Sequence, residues 1–87
     1  MEIFAKRLKQ LRQEKQLSLD MVEYDISQKF NIKITKSHLS RWESGKVTPS
    51  VINAGYLARY YDVSMDYLMG FTDCRIPVNL LAKTRKA

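Results

Sequence analysis

A short stretch with a stop at each end and two unlike faces, Thr35-Lys36-Ser37-His38-Leu39-Ser40-Arg41-Trp42-Glu43-Ser44-Gly45-Lys46, constrains this chain more than any other part of it. Thr35 suits an N-cap, because its hydroxyl can accept from an unpaired N–H of the first turn. Gly45 suits the position after the helix, where glycine enters the left-handed conformation without steric cost. The spacing therefore predicts a helix over 36–44. At about 100° per residue, Leu39, Trp42 and Glu43 fall on one side, and Lys36, Ser37, Ser40, Arg41 and Ser44 on the other. The second face has no apolar side chain. An ordinary solvated helix face carries Glu, Gln and Ala; this one carries two cations and three short hydroxyls. Short hydroxyls let a helix lie close to a surface, and Lys and Arg suit phosphates and guanine edges.

At 87 residues the chain has room for a single small core. Its 45% hydrophobic content excludes wholesale disorder. Fifteen Lys and Arg against nine Asp and Glu leave a net charge of +6, which favours a polyanionic partner. Cys74 stands alone, so no intramolecular disulfide is possible, which fits a reducing cytoplasm. The first residues, Met1-Glu2-Ile3-Phe4-Ala5-Lys6-Arg7, lack the apolar run of a signal peptide, and no stretch is long enough for a membrane span.

Taken in order, residues 2–16 read as a helix with Phe4, Leu8 and Leu11 inside and Lys6, Lys9, Gln13 and Glu14 outside. Arg12 falls on the margin of the apolar stripe, where it either pairs with Glu43 or runs out to solvent. Ser18 caps a second helix from Leu19 to about Phe30, with Leu19, Val22, Ile26 and Phe30 at helical spacing and Asp20 and Glu23 near its positive end. Asn31 suits a left-handed stop, and Ile32-Lys33-Ile34 reads as an extended connector. After Gly45, Thr48 is expected to cap a fourth helix with Pro49 as its first residue, and Ala54, Leu57, Ala58 and Tyr61 form its inner face. Ser64 caps a fifth, Met65–Met69, stopped by Gly70. Beyond it Phe71, Ile76, Val78, Leu80 and Leu81 are apolar, Lys83, Arg85 and Lys86 are basic, and Pro77 blocks a long helix.

The ordered set Arg7-Leu8-Lys9-Gln10-Leu11-Arg12, Leu17-Ser18, Leu39-Ser40-Arg41-Trp42-Glu43-Ser44-Gly45-Lys46, Pro49-Ser50, Leu57-Ala58 and Val63-Ser64-Met65-Asp66-Tyr67-Leu68-Met69-Gly70 resembles the Cro/repressor (xenobiotic-response-element-like) type of helix-turn-helix regulator. The resemblance covers residues 4–73. It implies an all-α, five-helix, lambda-repressor-like domain in which helix 36–44 enters the DNA major groove and Arg12 and Glu43 form an inner ion pair. Two features depart from the pattern. Ser27-Gln28-Lys29-Phe30-Asn31-Ile32-Lys33 stands where family members usually keep about one glycine, which should lengthen the second helix by about a turn. The run Phe30-Asn31-Ile32-Lys33-Ile34-Thr35-Lys36-Ser37 is similar to a subgroup of temperate-phage repressors from low-GC Gram-positive bacteria. Leu19 stands where a polar, phosphate-touching residue is common.

These features lead to definite expectations. A helix-turn-helix domain occupies 1–73, and 74–87 is a tail that serves as dimer contact or the start of a linker. Lys36, Ser37, Ser40 and Arg41 face the bases; Thr35, His38, Lys46, Thr48, Lys29 and Lys33 face phosphates; Tyr67, Leu68, Phe71, Ile76, Val78 and Leu80 are candidates for a homodimer contact. No cofactor is expected. An enzyme is disfavoured, because His38 and Cys74 are too few for a zinc site and far apart as a nucleophile pair. The rival function is a protein-binding module of the same fold, an antitoxin or the target of an antirepressor, working through the apolar tail.

Overall fold

Hydroxyl side chains start most of the helices. The computed structural model describes residues 2–76, and in them five helices succeed one another: α1 (Glu2–Glu14), α2 (Leu19–Phe30), α3 (Lys36–Glu43), α4 (Val51–Tyr61) and α5 (Met65–Met69). Ser18, Thr35, Ser50 and Ser64 precede α2 to α5 in extended backbone, and each side-chain oxygen accepts from the N–H three residues on. Each such cap contributes roughly 1 kcal/mol. No strand occurs among the described residues, so the fold is all-α as expected.

Three boundaries differ from the sequence expectation, the smallest being the end of α3 at Glu43 with Ser44 as its C-cap. The first helix ends at Glu14 rather than 16, because Gln16 turns left-handed (φ 56°). There the Gln16 N–H reaches the Gln13 carbonyl at 3.0 Å and the Leu17 N–H reaches the Arg12 carbonyl at 3.1 Å. A non-glycine in that conformation costs roughly 1–2 kcal/mol. The closed carbonyls and the packing of Leu17 against the core offset it. The fourth helix is capped by Ser50, not Thr48: Ser50 Oγ accepts from the Asn53 N–H at 3.2 Å. Pro49 thus precedes the cap, where its fixed φ suits the extended entry.

One continuous core joins the helices, with Phe4, Leu8, Val22, Ile26, Leu39, Leu57 and Leu68 fully enclosed. α1 packs on α3 and α5, α2 on α3 and α4, and α4 on α5. The C-terminal half of α2 and the connector after it have their own packing. Phe30 tilts against Tyr56 with centroids 5.2 Å apart, Ile32 packs on the core, and the Tyr60 hydroxyl donates to Asp25 at 2.7 Å. Burial and that carboxylate push the Tyr60 phenol above its usual range.

The segment after α5 folds back on the domain. Ser64 donates from its N–H to the Arg75 carbonyl (2.8 Å) and from its hydroxyl to the Cys74 carbonyl (3.1 Å). Arg75 holds Glu14 through both carboxylate oxygens at 2.8 Å each, which raises the guanidinium pKa and lowers that of the carboxyl. Arg7 reaches the Thr72 carbonyl and the Asp73 carboxylate, each at 2.7 Å, and both guanidinium groups stand over the Tyr67 ring. Gly70 closes α5 at φ 86°, and a Cβ there would come 2.8 Å from Ile3. Tyr67 and Leu68, expected as dimer contacts, are buried in this core, because α5 is too short to hide its apolar side without turning both inward. Phe71 and Ile76 stay exposed; Val78 and Leu80 lie outside the described residues.

Candidate nucleic-acid interface

α3 is fixed from below before its outer face can do anything. Leu39 and Trp42 are buried. Glu43 accepts from Arg12 Nε at 2.7 Å and Nη2 at 2.9 Å, while Arg12 Nη1 donates to the Leu17 carbonyl at 2.8 Å. One guanidinium thereby ties the end of α1, the turn before α2 and the inner side of α3. Side-chain exposure is 17% for Arg12 and 7% for Glu43. The geometry is bidentate, which suits Arg and carboxylate, and the hydrogen bonds to Glu43 raise the Arg12 pKa. Burial, with the Glu43 carboxylate adding to it, raises the neighbouring Tyr61 phenol as well.

At the N-terminal end Thr35 and His38 form a capping box. Thr35 Oγ1 accepts from the His38 N–H, and His38 Nδ1 accepts from the Thr35 N–H, both at 3.3 Å. The imidazole also stacks on Trp42, 13° from parallel at 5.8 Å. His38 was expected to face phosphate, but its Nδ1 is committed to the cap, so only Nε2 is left to reach outward.

On the outer side Lys36, Ser37, Ser40, Arg41 and Ser44 are all exposed. Leu19, Lys36, Ser37, Ser40 and Arg41 line an open groove of about 390 Å³. A smaller groove of about 210 Å³ adjoins it, lined by Lys9, Arg12, Leu19, Ser40, Glu43 and Ser44. Arg41 makes no side-chain hydrogen bond or ion pair among the described residues. Lys46, Thr48, Lys29 and Lys33 are exposed; Lys29 stands 5.5 Å from the Phe30 ring centroid, and Lys33 lines a groove with Glu23, Ser27, Asn31, Ile32 and Ile34. The face is open, cationic and rich in hydroxyls, and it sits on a helix clamped to two others.

This is the arrangement of a helix-turn-helix, α2 and α3 with the connector between them. The sequence model of the Helix-turn-helix family matches residues 8–68. The chain belongs to the Cro/C1-type helix-turn-helix family. Membership of that family supports a DNA-binding regulator. It is 34% identical over 71 residues to the uncharacterised HTH-type transcriptional regulator YobD of Bacillus subtilis (strain 168). The match covers 82% of this chain and 58% of that relative, so this helix-turn-helix chain spans little more than half the relative's length. No solved structure matches the chain. Among the described residues no helix is long and apolar enough to cross a membrane.

Sequence reasoning missed three contributors to the helix-turn-helix face. Asp20 and Glu23 read as charges suited to the α2 dipole, yet both also reach Lys36. Their i, i+3 spacing, which puts them on one side of α2, was the available signal. Leu19 reads as a core residue and is also a wall of both grooves.

Proposed function

We propose that this protein is a transcriptional repressor of the phage or mobile-element type that binds a pseudo-palindromic operator as a homodimer through α3. The observation that carries the reading is the division of α3: Leu39, Trp42 and Glu43 hold it to the domain, while Lys36, Ser37, Ser40 and Arg41 are left outward around one groove. Arg41 and Lys36 read base edges, Arg being suited to guanine O6 and N7. Ser37 and Ser40 permit close approach. Thr35, Lys46 and Thr48 at the ends of α3, His38 through Nε2, and Lys29 and Lys33 near the connector position phosphates. The DNA-binding unit is 1–73, with Cys74 and Arg75 stitched to it and the rest of the tail serving as contact or linker. Repression by occluding a promoter needs no cofactor, and the protein works in the cytoplasm on the nucleoid.

The dimer contact is assigned to Phe71 and Ile76, with Val78 and Leu80 beyond the described residues. Phe71 is 77% exposed and follows Gly70, which lies against the exposed Ile3. That patch also favours a second reading, in which an antirepressor or a toxin covers it. Duplexes selected by the protein from a random pool, footprinted and sedimented, test both. The repressor reading expects a two-fold sequence, half-sites about 34–36 Å apart, two chains per site, and affinity that falls steeply with salt. A flat salt response on every duplex rules it out, and a single chain bound with full specificity rules out the dimer.

A further inference from the structure

Lys36 is gripped from α2 at both its backbone and its side chain. Its N–H donates to Glu23 Oε1 at 2.7 Å, and its Nζ lies 3.3 Å from Asp20 Oδ1. The two contacts differ in kind. Glu23 satisfies one of the unpaired N–H groups that every helix presents at its start, so it sets how α3 leaves the connector. Asp20 and Lys36 are 73% and 61% exposed, and a pair so solvated adds little to the fold. The interest of this pair is its place. Lys36 lines the outward groove with Ser37, Ser40 and Arg41, so DNA entering that groove meets a carboxylate beside the ammonium.

A free ammonium at a groove wall settles on whichever phosphate oxygen is nearest, and that contact carries no sequence information. A carboxylate held beside it changes the balance. Phosphate oxygens are repelled, while the neutral acceptors O6 and N7 of guanine are repelled far less, and the ammonium keeps donors to offer them. We propose that Asp20 is a specificity-determining positioning residue, which holds Lys36 off the phosphate backbone and directs it to a base. The inference rests on the reading of α3 as the DNA-reading helix. Asp20 thus lowers affinity for DNA in general and raises the preference for the operator.

The test uses the full chain, a duplex selected by the wild-type protein from a random pool, and a shuffled duplex of the same composition. Affinities for both are measured across a salt series for wild type, Asp20→Asn, Lys36→Ala and the double variant, with thermal melting as a check on folding. Asp20→Asn is expected to melt like wild type and to bind the shuffled duplex up to roughly tenfold tighter, with its salt slope steeper by about 0.9, one more phosphate contact. Its preference for the selected duplex shrinks. In the Lys36→Ala background the same substitution leaves the preference unchanged, because no ammonium remains to be directed. If the carboxylate acts only through its charge, Asp20→Asn raises both affinities alike and keeps their ratio, and that result overturns the proposal. So does a preference that shrinks equally in the Lys36→Ala background. If wild type discriminates among duplexes and Asp20→Asn discriminates as well, the role of Asp20 is lost and the DNA reading stands. If wild type selects no duplex, both fall.

Discussion

Two ion pairs engage α3, one on each side, and they differ in nearly every respect. Arg12 and Glu43 meet bidentately in the interior, with a carbonyl taking a further donor. Lys36 and Asp20 meet through one contact at 3.3 Å in solvent. The inner pair has given up most of its water, so removing either member strands the other. The outer pair keeps its water and can exchange partners at little cost. Similar charges therefore stand in unlike surroundings on the two sides of one helix, and on the proposed reading burial decides which pair serves architecture and which serves recognition.

The comparison breaks first at its inner side. Removing one partner of a buried pair costs roughly 3–5 kcal/mol, a large share of the roughly 5–15 kcal/mol that holds a domain folded. Arg12→Ala should lower the melting temperature sharply and lose DNA binding only as a consequence. Thermal denaturation beside binding at a low temperature, where the variant is still folded, checks this; a wild-type melt would move Arg12 to the outer class.

Arg41 supplies the opposite case. Losing a bidentate base contact costs roughly 1–3 kcal/mol of discrimination at one operator position. Arg41→Ala should melt almost as wild type does while relaxing preference at that position, read from binding to single-base variants. Lys46→Ala sharpens the contrast within the outer class: every sequence weakens alike, the salt slope falls by about one, and the ranking of duplexes is kept. A changed ranking would make Lys46 a base reader.

The smallest effect expected lies away from α3. Tyr60 gives its hydroxyl to Asp25 across α2 and α4, and its pKa is raised by burial and by that carboxylate. A raised phenol pKa means that the folded state prefers the protonated form. Its contribution is complete below the ordinary phenol value of about 10 and is lost as pH rises through the higher folded value. Tyr60→Phe should cost about 1 kcal/mol at neutral pH and make the loss of stability above pH 10 shallower, with buried Tyr61 supplying what remains. Denaturant melts at a series of alkaline pH values measure both, and an unchanged alkaline slope would show that Tyr60 titrates alike in both states.

The two sides of α3 were also unequally legible. The inner side could be read because apolar spacing and burial are two descriptions of one requirement: Leu39 and Trp42 had to go somewhere, and the domain is small. The caps at Ser18, Thr35 and Ser64 could be read because a hydroxyl before an apolar run has a local reason to be there. Ser50 was misplaced to Thr48 because both hydroxyls flank the same proline, and only packing chooses between them. Glu23 and Asp20 were hidden for another reason. Their partner is thirteen and sixteen residues away across a connector whose path no local rule predicts. The clamp of Arg7, Arg75 and Glu14 spans more than sixty residues and was likewise invisible. Of the surface residues, the sequence indicated which were outward; the i, i+3 spacing of Asp20 and Glu23 put two carboxylates on one side of α2, but nothing local tied them to Lys36.

That clamp has a mechanical consequence. Cys74 and Arg75 are sewn to Ser64 at the start of α5, and the Arg75 side chain grips Glu14 at the far end of α1. A pull on the chain beyond Ile76 is therefore resisted first by a pair of ionic hooks on α1 rather than by α5 alone. α1 is also the helix that carries Arg12, so tension arriving from the tail is delivered within a turn of the rivet that sets the pitch of α3.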